Sequence, residues 1–140
     1  MIKVGVIGIG HLGSIHLRLL LESDSYRVMG CFDKNTSLKS KISSDVSFYD
    51  NVTELIIKCD ALFVCSNTPS HFEMVKLCLL NNKHVFVEKP ITTTLEEAVE
   101  LVKLTEKNNL IGQVGHVERF NPAITSVLDI IDKPKFIECH

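Results

Sequence analysis

The sequence has no apolar run near the roughly 20 residues that a membrane-spanning helix needs, no excess of one charge, no Cys-x-x-Cys pair and no Gly/Ser-rich or low-complexity tract. The first absence excludes a bilayer span. The chain enters a strand pattern directly instead of a targeting segment, so a cytoplasmic protein with no membrane partner is expected. With 15 basic against 17 acidic residues, the net charge of −2 makes no long-range field to draw a polyanion, and nucleic acid is not expected as a partner. The five cysteines (Cys31, Cys59, Cys65, Cys78, Cys139) are odd in number, widely spaced and mostly inside apolar runs. That pattern reads as reduced core thiols, not disulfides. No histidine pair has metal-ligand spacing backed by a carboxylate or thiol cluster, so no metal is expected. Without a linker, 140 residues of which 45% are hydrophobic suffice for one core and are too few for two domains of ordinary size.

What is present is an alternation of strand and helix patterns. Ile2, Val4, Val6 and Ile7 open a strand, and a helix follows over about His11 to Ser23, with Leu12, Ile15, Leu19 and Leu20 as its apolar stripe. Strands are expected at Arg27–Asp33, Ser47–Tyr49, Ala61–Cys65, His84–Val87 and Leu110–Val114, with Ala61–Cys65 an uninterrupted apolar run suited to a strand covered on both faces of a parallel sheet. Helices are expected at about Thr53–Lys58, from Ser70 with a Ser70/Glu73 capping box and a Phe72, Val75, Leu79 stripe, and from Thr94 with a Thr94/Glu97 box. The latter helix bears Leu95, Ala98, Val99 and Val102, and a last one spans Pro122–Ile131. This order predicts an α/β fold: a Rossmann-type, doubly wound parallel sheet with right-handed crossovers.

Between the first strand and the first helix lies Gly8-Ile9-Gly10-His11-Leu12-Gly13. Gly8 suits a tight turn, Gly10 lets backbone approach a pyrophosphate, and Gly13 lets helix and sheet pack closely. Asp33 stands 20 residues after Gly13, at the end of the second strand, where a carboxylate accepts hydrogen bonds from an adenosine ribose. A carboxylate there repels a 2′-phosphate, which favours NAD; Lys34 beside it offsets part of that repulsion and keeps NADP possible. FAD shares the glycine fingerprint.

Ligands of open α/β sheets bind at the carboxyl ends of the strands. Polar residues fall there in three groups: Ser66-Asn67-Thr68-Pro69-Ser70-His71, Glu88-Lys89-Pro90, and Gly115-His116 through Pro122. A lysine held against a substrate hydroxyl can shuttle a proton during hydride transfer, with Glu88 holding Lys89 or a ribose hydroxyl. A surface ion pair at a strand end fits the same two residues. His11 faces either the pyrophosphate or solvent, His16 reads as a helix-packing residue, and His116 and Arg119 stand where they can meet nicotinamide or substrate.

Taken together, Gly-x-Gly-x-x-Gly with His16, the Thr68-Pro69 turn with His71, Glu88-Lys89-Pro90 and the Gly115-His116 to Pro122 segment resemble the glucose-fructose oxidoreductase, inositol dehydrogenase and MocA (Gfo/Idh/MocA) family. The resemblance implies a nicotinamide-dependent oxidoreductase acting on a sugar, cyclitol or sugar nucleotide. It makes Lys89 a catalytic lysine and places Asn67, Thr68, His71 and Glu88 along the cofactor; with the glycine loop, Asp33, Ser66, Lys89 and His116 they form the expected cofactor site. The stretch Gly112–Pro122 looks most like members that oxidise nucleotide-linked N-acetyl sugars.

Members of that family carry a second, mostly antiparallel domain that supplies an Asp and a His of the catalytic set. Residues 1–121 read as the dinucleotide-binding domain. Residues 122–140 read as a helix and the start of a strand toward that second domain, which is expected to be absent, and an unpaired terminal strand would favour self-association. A non-catalytic NAD-binding module or remnant is the alternative reading.

Overall fold

A computed structural model describes residues 1–130 together with Lys133, Lys135, Phe136 and Glu138. Along the chain run β1 (Ile2–Ile7), α1 (His11–Leu21), β2 (Tyr26–Phe32), β3 (Phe48–Tyr49), α2 (Val52–Lys58), β4 (Ala61–Val64), α3 (His71–Leu80), β5 (His84–Val87), α4 (Leu95–Lys107), β6 (Gly112–Val114) and α5 (Pro122–Thr125). The six strands form one sheet in the order β3-β2-β1-β4-β5-β6, and every pairing is parallel. This is the doubly wound architecture expected from the alternation. The chain reverses direction across the sheet between β1 and β4, so the loops after these two strands part and leave a crevice at their carboxyl ends.

Two cores sandwich the sheet. On one face Leu17 and Leu20 of α1 pack on Val4, Val6 and Cys31. On the other, Leu55 and Ile56 of α2, Val75, Cys78 and Leu79 of α3 and Leu101 of α4 cover Ile7, Leu62, Val64, Val85 and Val87. Burying each such side chain contributes about 1.5–3 kcal/mol. Strands buried on both faces read as unbroken apolar runs for this reason.

Four local expectations need correction. The buried positions of α1 are Gly13, Leu17 and Leu20, whereas Leu12 and Leu19 are about half exposed. Gly13 lies closest to the sheet and sets the phase of the helix. In α4 it is Leu101 that enters the core, while Leu95, Val99 and Val102 point outward. The Thr94/Glu97 capping box forms, but the Ser70 hydroxyl makes no cap bond to α3 and instead donates within its own loop to Asn67 and Ser66. The last helix is regular only over Pro122–Thr125 and continues as turns to residue 130. Its apolar Val127, Leu128 and Ile130 are exposed, and so short a helix is marginal in water on its own. The terminal strand expected over 134–140, with Cys139, falls largely outside the described residues.

Among the described residues no helix is long and apolar enough to cross a membrane, and no group of three or more His, Cys, Asp or Glu side chains could hold a metal ion.

Candidate cofactor site

The loop after β1 is built on sterics. Gly8 has φ +85°, a left-handed conformation that strains other residues, and a Cβ there would strike the Ser66 backbone. A Cβ on Gly13 would run into the Gly8 carbonyl oxygen, so α1 can start this close to the strand only with glycine at that position. A Cβ on Gly10 would meet only open space. Among the described residues no side chain caps α1. The amides of its first turn, lacking intrahelical partners, are left free for an anion, with the helix dipole behind them.

Asp33 closes the opposite wall. Its Oδ2 accepts the Ile9 N–H at 2.8 Å and its Oδ1 accepts the Asn35 N–H at 2.8 Å. The carboxylate therefore ties the end of β2 to the glycine loop. Each carboxylate oxygen retains acceptor capacity for a ribose hydroxyl. From the loop after β4 come Cys65, Ser66 and Asn67. Together these groups surround a cleft of about 240 Å³ lined by Gly8, Gly10, Phe32, Asp33, Lys34, Cys65, Ser66, Asn67, Ser70 and Met74. Burial, and then the charge of Glu88, push the Cys65 thiol up to about 12. It lines the cleft as a neutral group and is no nucleophile at neutral pH.

A second cluster lies beside the cleft, at the ends of β5 and β6. Glu88 is only 6% exposed. One of its oxygens meets His16 Nε2 at 2.7 Å, and the other accepts the Lys89 N–H at 3.1 Å. Lys89 itself is exposed at the rim and is followed by a cis peptide to Pro90. His71, 1% exposed, bridges the two clusters: Nδ1 meets the Pro90 carbonyl and Nε2 the Ser66 carbonyl, each at 2.8 Å. It thereby staples the loop after β4 to the loop after β5.

Of the residues expected from sequence, Gly8, Gly10, Asp33, Ser66 and Asn67 line the cleft, and Glu88, Lys89 and His71 form the adjoining rim. Leu12 and Gly13 lie in the first turn of α1, and Thr68 begins the short 3₁₀ turn between β4 and α3. His11 lines a different and larger hollow of about 620 Å³, between α1 and residues 38–46. His116 is exposed just past β6. His16, read from sequence as a packing residue, is in hydrogen-bond contact with Glu88. Its place three residues after Gly13, on the same helix face, was the available signal.

The glycine cradle, the uncapped helix start and the carboxylate at the end of β2 are the groups a dinucleotide requires, and they are arranged around one cleft. A family model described as an oxidoreductase family with NAD-binding Rossmann fold matches residues 2–116. The chain is 29% identical over 141 residues to UDP-N-acetylglucosamine 3-dehydrogenase of Acidithiobacillus ferrooxidans, covering 99% of this chain and 44% of that protein. It is 33% identical over 125 residues to myo-inositol 2-dehydrogenase of Thermotoga maritima, covering 85% and 37%. The solved structure of the Acidithiobacillus enzyme superposes with a TM-score of 0.86 at 27% identity, over 92% of this chain and 43% of that one. A dehydrogenase from Clostridium difficile gives 0.85 at 35% identity, over 90% and 43%. The chain thus spans about two fifths of the length of these relatives, and it belongs to the Gfo/Idh/MocA oxidoreductase family, whose NAD-binding Rossmann fold it carries.

Proposed function

We propose that this chain is the cofactor half of a dehydrogenase that moves a hydride between a nicotinamide and a hydroxyl of a sugar or sugar nucleotide. The observation that carries the proposal is the cleft at the β1/β4 switch point, where Gly8, Gly10, Asp33 and Asn67 converge beside the Lys89 rim. The α1 amides and the glycine loop hold the pyrophosphate. Asp33 accepts from the adenosine ribose and disfavours a 2′-phosphate, so NAD is the preferred partner. Thr68, His71, Glu88 and His116 shape the nicotinamide end, His71 and Glu88 from beneath it.

When bound, the nicotinamide supplies the hydride acceptor or donor. Lys89 handles the accompanying proton: its amine accepts the substrate hydroxyl proton in oxidation and returns it in reduction. The similarity to a UDP-N-acetylglucosamine dehydrogenase, together with the Gly112–Pro122 stretch, favours a nucleotide-linked N-acetyl sugar as substrate. We place the boundary of the dinucleotide domain at about residue 121, and the protein in the cytoplasm, where four buried thiols stay reduced.

A second reading, cofactor binding without turnover, is favoured by the open rim, where Lys89 and His116 stand in solvent; hydride transfer gains from a site closed to water. Incubation of the chain with NAD and a panel of UDP-N-acetyl sugars and cyclitols, followed at the NADH absorbance, separates the two. Substrate-dependent NADH that disappears in Lys89→Ala, with NADH affinity kept, supports the dehydrogenase. Binding without turnover leaves the chain as a module.

A further inference from the structure

The hydrogen bond between His16 and Glu88 joins residues 72 positions apart at 2.7 Å, with side chains only 19% and 7% exposed. Its surroundings are closely fitted. The His16 ring lies 5.1 Å from the Phe86 ring and 6.0 Å from that of Phe63. On the other side, a Cβ at Gly115, the residue after β6, would stand 2.9 Å from the Phe86 ring and 3.1 Å from Glu88 Oε2, so glycine at this position leaves the carboxylate its room. The carboxylate oxygen that His16 does not hold accepts the Lys89 N–H. Held from both ends and buried, Glu88 has one orientation.

We propose that His16 is a positioning residue for the rim: the imidazole fixes the Glu88 carboxylate, the carboxylate fixes the main chain of Lys89, and the helix that receives the pyrophosphate thereby also sets the lysine assigned to proton transfer. The functional consequence rests on the dehydrogenase reading above; the structural link does not. Helix α1 approaches the sheet as closely as Gly13 allows, and one turn later it delivers His16 to the end of β5. Any shift of α1 along the sheet would be passed through the imidazole to Glu88 and Lys89.

Three variants of the 140-residue chain test this. His16→Gln keeps a donor near the place of Nε2, His16→Phe keeps the ring stack and loses the donor, and Glu88→Gln weakens the acceptor for the Lys89 N–H. Two readouts are taken: the Lys89 amide resonance in the cofactor-free chain, and NADH affinity by fluorescence. The amide proton of Lys89 is expected downfield in the wild type and in His16→Gln, and upfield in His16→Phe and Glu88→Gln. NADH binding is expected to weaken about tenfold in His16→Phe, on the scale of one charge-assisted hydrogen bond, and to recover in His16→Gln. A Lys89 amide unmoved in His16→Phe, or His16→Gln as disruptive as His16→Phe, overturns the proposal. If His16→Phe does not fold, the amide shifts of His16→Gln and Glu88→Gln decide: both at the wild-type position, or both displaced, overturns it. A wild-type chain that binds no NADH sinks the cofactor reading instead, and the amide comparison still decides the role of His16.

Discussion

Asp33 serves two neighbours at once. Its two oxygens hold the amides of Ile9 and Asn35, and the same carboxylate faces the cleft. Asn in its place keeps a single acceptor oxygen, loses the charge and sets an amide against one of these N–H groups. We expect Asp33→Asn to weaken NADH binding about tenfold and to narrow the preference over NADPH, read by parallel fluorescence titrations. Unchanged relative affinities would remove Asp33 from the ribose. Gly8, Gly13 and Asp33 were legible in the sequence because their reasons are local: a turn, a close contact and a strand end within one βα unit. The partner of His16 was not, because Glu88 is remote in sequence and only the folded sheet brings α1 to the end of β5.

At the scale of elements, caps and packing stripes divide what could be read from what could not. The Thr94 hydroxyl accepts the Glu97 amide, while the Glu97 carboxylate accepts the Thr93 and Thr94 amides. The Thr93 hydroxyl, then these amides, hold the Glu97 carboxyl below its usual range. Thr94→Ala should cost about 1 kcal/mol in urea unfolding. Leu101 is the buried contact of α4, and Leu101→Ala should cost about 2–5 kcal/mol, whereas Val99→Ala on the exposed side should cost far less. A larger loss at Val99 would show that the outward face of α4 is covered in solution. The Thr94/Glu97 box was readable because its partners are three residues apart. Which apolar row of α1 or α4 turns inward was not, since apolar residues lie on more than one face and packing alone chooses. The strand pattern fared better at β4, whose apolar run packs on both faces of the sheet, than at β6, expected from Leu110 but regular only over Gly112–Val114.

Across the whole molecule, stability should fall in alkali. Burial raises Cys31 to about 11 and Cys59, Cys65 and Cys78 to about 12, from 9.0. In each case the folded state keeps its proton longer than the unfolded chain does. The resulting stabilisation is full below pH 9 and is lost as pH rises toward 11–12. Urea unfolding at pH 7 and at pH 10.5 should show the decline, and replacing Cys78 with Ala or Val should reduce its slope. A parallel, doubly wound sheet with ligands at its carboxyl rim followed from the alternation of elements and the right-handed crossover rule, whereas the strand order that puts the crevice between β1 and β4 came from the structure. The fit of the two rim clusters to one another did not, because it depends on the His71 staple between two loops. The most direct test of the central claim, that a nicotinamide dinucleotide occupies the β1/β4 crevice, is a titration of the ¹⁵N-labelled chain with NADH. The account predicts the largest shifts at the amides of Gly8–Gly13, Asp33, Ser66 and Asn67, with Lys89 following. No shifts at saturating NADH, or shifts at residues 38–46 with Asp33, Ser66 and Asn67 unmoved, would contradict it.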